Sequence, residues 1–131
     1  MAKILIVDDA IFMRKMLSDI LTKDGHEIVG EAENAKEAVT LFKKLKPDLV
    51  TLDIVMPEVD GMTAMRAIRD IVSTDQKAII LMVSAMGQEA FVVESIQAGA
   101  KDFIVKPFQP QTISTTVKRL LENRKASASV K

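Results

Sequence analysis

Four short apolar runs punctuate the chain: Ile4–Val7, Leu49–Val55, Ile79–Val83 and Phe103–Val105, the second interrupted by Thr51 and Asp53. A fifth, Glu27–Ala32, alternates more weakly. Runs this short and this rich in Ile, Val and Leu predict strands buried on both faces of a parallel sheet. Between them the period changes. Over Ile11–Lys23, Met13, Met16, Leu17, Ile20 and Leu21 recur at spacings of three and four, with charges between, which predicts an amphipathic helix. Asn34 is placed to cap the next helix, with Glu37 three residues on. Ala35, Ala38, Val39, Leu41, Phe42 and Leu45 form its apolar side, and Pro47 closes it. Helical patterns over Gly61–Ile71, Gln88–Ala98 and Gln111–Asn123 complete the series.

The order is strand then helix, five times over. Such alternation predicts an α/β domain with a parallel sheet and helices on both faces. Right-handed crossovers restrict it to a few doubly wound forms. The chain of 131 residues is expected to make one domain, residues 1–123, followed by a small, polar, disordered tail over 124–131.

Composition narrows the chemistry. There is no Cys, so disulfides, thiolate metal sites and a Cys nucleophile are excluded. The one His, His26, excludes a site built on two imidazoles; it follows Asp24-Gly25 in a turn and is expected to be exposed. Acidic and basic residues balance at 18 each, so no global field favours nucleic acid. A local basic bias near the end (Lys118, Arg119, Arg124, Lys125, Lys131) is of the kind that a solvated helix face and tail carry. The longest unbroken apolar run, Ala78–Val83, falls far short of the roughly 18 residues needed to insert in a membrane. Asp8 and Asp9 end the first apolar run too early for a signal peptide, so the chain is expected in the cytoplasm. The eight Met residues suit gap-filling core or a soft partner surface better than metal ligation.

Open parallel sheets bind ligands at the carboxyl ends of their strands. Here the first strand ends in Asp8-Asp9, the third in Asp53, the fourth in Ser84-Ala85 and the fifth in Lys106-Pro107. Three carboxylates, a hydroxyl and an amine therefore converge on one rim. Carboxylates so close need a cation or a shared proton. An all-oxygen set without His or Cys suits Mg²⁺, which takes one or two carboxylates plus waters and phosphate oxygens. Asp8 and Asp9 would supply that cage. Asp53 would join it or act as a nucleophile, since a carboxylate attacking a phosphoryl group forms an acyl phosphate. Lys106 and Ser84 would then neutralise and hydrogen-bond the phosphoryl oxygens. Taken singly each residue has a plainer role: Asp9 is also placed to cap the first helix, and a lone Ser or Lys at a strand end is ordinary polar surface. Four strands ending in four complementary groups is a stronger signal than any one of them.

These residues, with the surrounding segments Ile4–Asp9, Asp48–Pro57, Gly61, Ser84-Ala85 and Gly99–Phe108, resemble the response-regulator receiver family over about residues 2–122. Ser84–Gln88 and Pro107–Pro110 are similar to its single-domain chemotaxis members in particular. The resemblance implies a flavodoxin-like (βα)5 fold of five parallel strands in the order 2-1-3-4-5. It implies that Asp53 accepts a phosphoryl group from a histidine kinase. Asp8, Asp9, Asp53 and the main-chain carbonyl of Val55 would hold Mg²⁺, while Ser84 and Lys106 bind the phosphoryl oxygens. A cis Lys106–Pro107 peptide is also implied. The family's switch pairs the hydroxyl residue with an aromatic on the last strand, here Ser84 and Phe103. Chemotaxis members often carry Tyr where this chain has Phe103. Gly87 is expected to give the loop before the fourth helix freedom to move.

Val55 and Met86 occupy positions that in this family influence how water reaches the acyl phosphate. Neither can orient a water, which implies slow self-dephosphorylation and a separate phosphatase. By resemblance the other partners are a chemotaxis kinase and the flagellar motor switch protein, with no nucleic acid and no membrane insertion. Three other readings stand beside this one. A phosphorelay carrier would use the same residues. An aspartyl phosphatase would want a second Asp at position 55, where the chain has Val. A receiver that binds partners without phosphorylation would not need the complete acidic, hydroxyl and amine set.

Overall fold

In a computed structural model, residues 2–53, 62–75 and 77–130 are described; the side chains of 62–64 and 125–130 are not. The elements run β1 (Lys3–Val7), α1 (Ile11–Lys23), β2 (Glu27–Ala32), α2 (Ala35–Leu45), β3 (Leu49–Leu52), α3 (Met62–Thr74), β4 (Ile79–Ser84), α4 (Glu89–Ala98), β5 (Asp102–Val105) and α5 (Pro110–Val130). The five strands pair in parallel in the order β2-β1-β3-β4-β5, as the resemblance implied.

Alternation along each strand divides the core into two layers. Leu5, Val7, Val50, Leu52, Ile80 and Met82 face α2, α3 and α4, where they meet Phe42, Ile68, Ile71 and Phe91. Ile4, Ile6, Leu49, Leu81, Val83 and Ile104 face α1 and α5, against Leu17, Leu21, Ile113, Val117 and Leu120. Both faces of the sheet are covered, which is why the strands read as nearly unbroken apolar runs. Among the described residues, no helix is long and apolar enough to cross a membrane.

The helix ends follow local chemistry. Asn34 Oδ1 accepts the Glu37 N–H at 2.8 Å, and Glu37 Oε1 accepts the Glu33 N–H at 2.9 Å, a reciprocal cap of α2. The helix closes on Lys46 in the left-handed region, φ 48°, directly before Pro47. Gly99 ends α4 at φ 132°, where a Cβ would also lie 2.7 Å from Val72 Cγ2, so both backbone and space require glycine.

Some expectations shift. Helix α3 continues to Thr74, three residues past the expected end. Helix α5 is helical through 124–130, the stretch expected to be a disordered tail: no Gly or Pro follows Pro110, and Arg, Lys and Ala favour helix. Asp9 does not cap α1. The cap position is Ala10, with no side-chain bond, and Asp8 Oδ1 accepts the Ala10 N–H at 2.9 Å instead. His26 is half-buried rather than exposed, its Nδ1 accepting the Ala2 N–H at 3.2 Å. Burial and the nearby N-terminal charge hold its pKa below the usual value. It lines a groove with Ala2 and Asp48 at the amino ends of the strands, away from Asp53.

Candidate functional site

The parallel ladders deliver the polar rim. Each chemical group sits one residue past its strand or on its last residue, and main-chain bonds continue there. The Asp8 N–H donates to Ala32 O at 3.0 Å, Asp53 N–H to Val7 O at 2.9 Å, and Lys106 N–H to Ser84 O at 2.9 Å. Asp8 is 1% exposed, Asp53 5% and Ser84 fully buried. Lys106 Nζ spans the two acids, donating to Asp8 Oδ2 at 2.7 Å and to Asp53 Oδ2 at 2.5 Å. The Lys106–Pro107 peptide is cis.

Two carboxylates share one ammonium, so the buried trio keeps a net negative charge. Burial pushes the Asp53 pKa up, and the Lys106 contact offsets this only in part. Burial alone would lower the Lys106 ammonium, but the bonds and charges of Asp53 and Asp8 outweigh it and hold its pKa above the usual value. Among the described residues Asp53 Oδ1 is buried with no hydrogen-bond partner of normal geometry, although the neighbouring Ser84 hydroxyl, like Lys106, acts to lower the Asp53 pKa. A buried anionic oxygen without a partner is costly unless something binds it. Here it faces the same rim as Asp8 and Lys106.

This donor set fits Mg²⁺ in kind: oxygen ligands only, one of them without a hydrogen-bond partner among the described residues, next to the Asp8-Asp9 pair. In the arrangement described, Lys106 holds both buried carboxylates. Asp9 is exposed, and no three acidic or His side chains among the described residues are gathered closely enough to hold an ion by themselves. Val55, expected to lend its carbonyl, lies outside the described residues.

Ser84 Oγ accepts the Met86 N–H at 3.2 Å, which ties the hydroxyl to the loop after β4. Met86 is half-buried against the α2–α4 layer. Phe103 is half-buried on the same layer and meets Phe91 of α4 edge-to-face, centroids 5.9 Å apart at 90°. A Cβ on Gly87 would lie 3.0 Å from the Val105 methyls, so this glycine permits a close approach of the loop to β5 as well as any freedom to move.

One residue escaped the sequence reading. Arg14, in the first turn of α1, donates from Nη1 to Asp8 O at 2.7 Å and from Nε to Glu31 Oε1 at 3.0 Å. In the sequence it is one more charge between apolar helix positions, and only the fold places it behind Asp8.

Residues 4–118 match the response regulator receiver domain. The chain belongs to that family. This receiver is 59% identical over 111 residues to the chemotaxis protein CheY of Thermotoga maritima, covering 85% of this chain and 90% of that one. It is 56% identical over 119 residues to CheY of Bacillus subtilis, covering 91% and 97%. A solved CheX–CheY–BeF3–Mg²⁺ complex from Borrelia burgdorferi aligns with a TM-score of 0.82 at 38% identity, over 91% of this receiver and 88% of that chain. It is a CheY-like response regulator of chemotaxis, and these relatives do not favour the phosphorelay alternative.

Proposed function

We propose that this receiver, acting through a unit of residues 1–123, takes a phosphoryl group onto Asp53 from a chemotaxis histidine kinase in the cytoplasm. The phosphorylated form then binds the flagellar motor switch protein. The observation that carries the acceptor chemistry is the Lys106 ammonium bridging Asp8 and Asp53 while Asp53 Oδ1 is buried and, among the described residues, has no hydrogen-bond partner. One carboxylate oxygen is fixed by Lys106, and the other is left to react.

In the transfer, Asp53 Oδ1 attacks phosphorus. The new O–P bond forms as the bond to the donor nitrogen breaks, and the electron pair of that bond returns to the donor imidazole. Asp8, Asp9, Asp53 and the Val55 carbonyl would hold Mg²⁺, which would neutralise negative charge on the phosphoryl oxygens. Lys106 neutralises more of that charge from β5, where its two carboxylate contacts already aim it. Ser84 releases the Met86 N–H and donates its hydroxyl to a phosphoryl oxygen. The ring of Phe103 moves toward the space Ser84 leaves, giving up its edge contact with Phe91. That repacks a face on which Val93 and Ile96 of α4 and Val105 of β5 are exposed apolar groups, and this face is the output surface.

The chain turns over no external substrate in this reading: its only chemistry is gain and loss of its own phosphoryl group. Loss is slow, because Val55 and Met86 orient no water, and a separate phosphatase completes the cycle. The Borrelia CheY solved together with CheX supports a protein partner for receivers of this type. Transfer of labelled phosphoryl from a chemotaxis kinase tests the proposal. Label should appear on the peptide containing Asp53 and vanish in Asp53→Asn. Equal labelling of that variant would refute Asp53 as the acceptor.

A further inference from the structure

Every polar group of Asp8 is in use. Its N–H donates to Ala32 O at 3.0 Å, Oδ1 accepts the Ala10 N–H at 2.9 Å, Oδ2 accepts Lys106 Nζ at 2.7 Å, and its main-chain carbonyl accepts Arg14 Nη1 at 2.7 Å. The first three bonds come from the ladder, the turn and the site itself. The fourth comes from a long side chain reaching back from α1, and Arg14 is in turn held by Glu31 near the end of β2. The Arg14 side chain is 12% exposed, against 44% for Glu31, so the guanidinium is tucked behind the rim rather than waving in solvent.

The Asp8 carbonyl belongs to the peptide that joins Asp8 to Asp9. Pinning that oxygen fixes the plane of the peptide, because the unit is rigid. The plane in turn sets the direction in which Asp9 leaves the chain. No side chain caps α1, and the main-chain bond from the Arg14 N–H to Ala10 O at 3.1 Å holds Ala10 rather than the Asp8–Asp9 peptide, so among the described residues Arg14 is the α1 side chain that reaches that peptide. An Arg offers donors fixed in one rigid plane, here Nε to Glu31 and Nη1 to Asp8 O, a geometry that the single ammonium of Lys does not reproduce.

We infer that Arg14 is a positioning residue for the cation site: with Glu31 it braces the Asp8–Asp9 peptide so that both carboxylates present to one divalent ion. The inference rests on the proposed Mg²⁺ site. Groups that orient metal ligands typically account for about 10–100-fold in metal affinity.

Calorimetric Mg²⁺ titration of the full chain tests this, with Arg14→Ala, Arg14→Lys and Glu31→Gln beside the unaltered protein, each checked for folding by circular dichroism. The expected result is a Kd about tenfold or more weaker in Arg14→Ala. Arg14→Lys should fall between, and Glu31→Gln should weaken binding less than Arg14→Ala does. Acetyl phosphate reactivity of Arg14→Ala should return at saturating Mg²⁺, since Arg14 touches neither phosphoryl nor Asp53. If the unaltered protein binds Mg²⁺ and folded Arg14→Ala binds within twofold of it, the brace is refuted while the site stands. If the unaltered protein binds no Mg²⁺, the site itself is refuted. Should Arg14→Ala not fold, Arg14→Lys decides: an unchanged Kd there overturns the inference.

Discussion

Among the described residues Lys106 is the one positive charge paired with the two buried carboxylates, so its removal is the most informative perturbation of the site. In Lys106→Met the stem is kept in volume and the ammonium is lost. Asp8 and Asp53, with side chains 1% and 6% exposed, are then left facing each other without compensation. Breaking a buried pair by removing one partner costs about 3–5 kcal/mol. The lower end applies here, because Lys106 is 15% exposed and solvent relieves part of the charge. With an unfolding entropy near 2.1 cal/mol/K per residue, about 3 kcal/mol in a chain of 131 residues lowers Tm by roughly 10 °C.

The deficit must depend on pH. Asp53 already has its folded pKa raised by burial despite Lys106, and without the ammonium it rises further. Between the ordinary carboxylate pKa and that raised value the folded protein binds more protons than the unfolded one. Stability therefore falls as pH rises through that window and recovers as pH falls. Thermal unfolding followed by far-ultraviolet circular dichroism, at pH 7 and pH 5, reads the effect directly. Added Mg²⁺ should restore part of the loss at pH 7, and so should Asp53→Asn as a second substitution. A Tm loss under about 3 °C at pH 7 would refute the reasoning. So would a loss that is equal at both pH values and unrelieved by Asp53→Asn.

Asp53→Asn alone, with Lys106 still bound to Asp8, should be more stable than the unaltered chain at pH 7, with the gain vanishing below the ordinary carboxylate range; a gain independent of pH in denaturant titrations would contradict the raised pKa. Thr51 is fully buried and its hydroxyl has no partner among the described residues, so the isosteric Thr51→Val should stabilise by about 1 kcal/mol in the same titrations, whereas an equal loss would show that the hydroxyl has a partner. Side-chain NMR of Phe103 should show its ring resonances move when a phosphoryl mimic binds with Mg²⁺, and unchanged resonances would leave Ser84 without its aromatic counterpart. Polar residues introduced at Val55 and Met86 together should shorten the lifetime of the acyl phosphate at least several-fold, and an unchanged lifetime would mean neither position governs water access.

Much of this molecule was legible before folding. The runs at Ile4–Val7 and Ile79–Val83 declare buried parallel strands because both their faces are covered. Asn34 and Glu37 declare a helix start because the cap is a local bond. Asp8, Asp53, Ser84 and Lys106 could be placed on one rim because the fold rule acts on strand ends, whatever lies between them. What the linear chain withheld were relations between distant segments. Nothing in the run of charges on α1 says that Arg14 reaches back to the Asp8 carbonyl, or that Glu31 near the end of β2 receives it. His26 looked like a turn residue until Ala2, just before β1, supplied its donor. Gly87 looked like a hinge, and its second reason, the Val105 side chain, sits on β5, distant in the chain. The small, polar composition at 124–130 suggested disorder, yet nothing there interrupts a helix already under way.

The central claim is that Asp53 is the one acceptor, activated in a rim built by Asp8, Asp9, Ser84 and Lys106. Intact mass after incubation with acetyl phosphate tests it most directly, with and without Mg²⁺ and beside an Asp53→Ala control. The account predicts a gain of one phosphoryl group that requires Mg²⁺ and disappears in Asp53→Ala. A gain that persists in Asp53→Ala, or no gain together with no binding of Mg²⁺ or of a stable phosphoryl mimic, would contradict it.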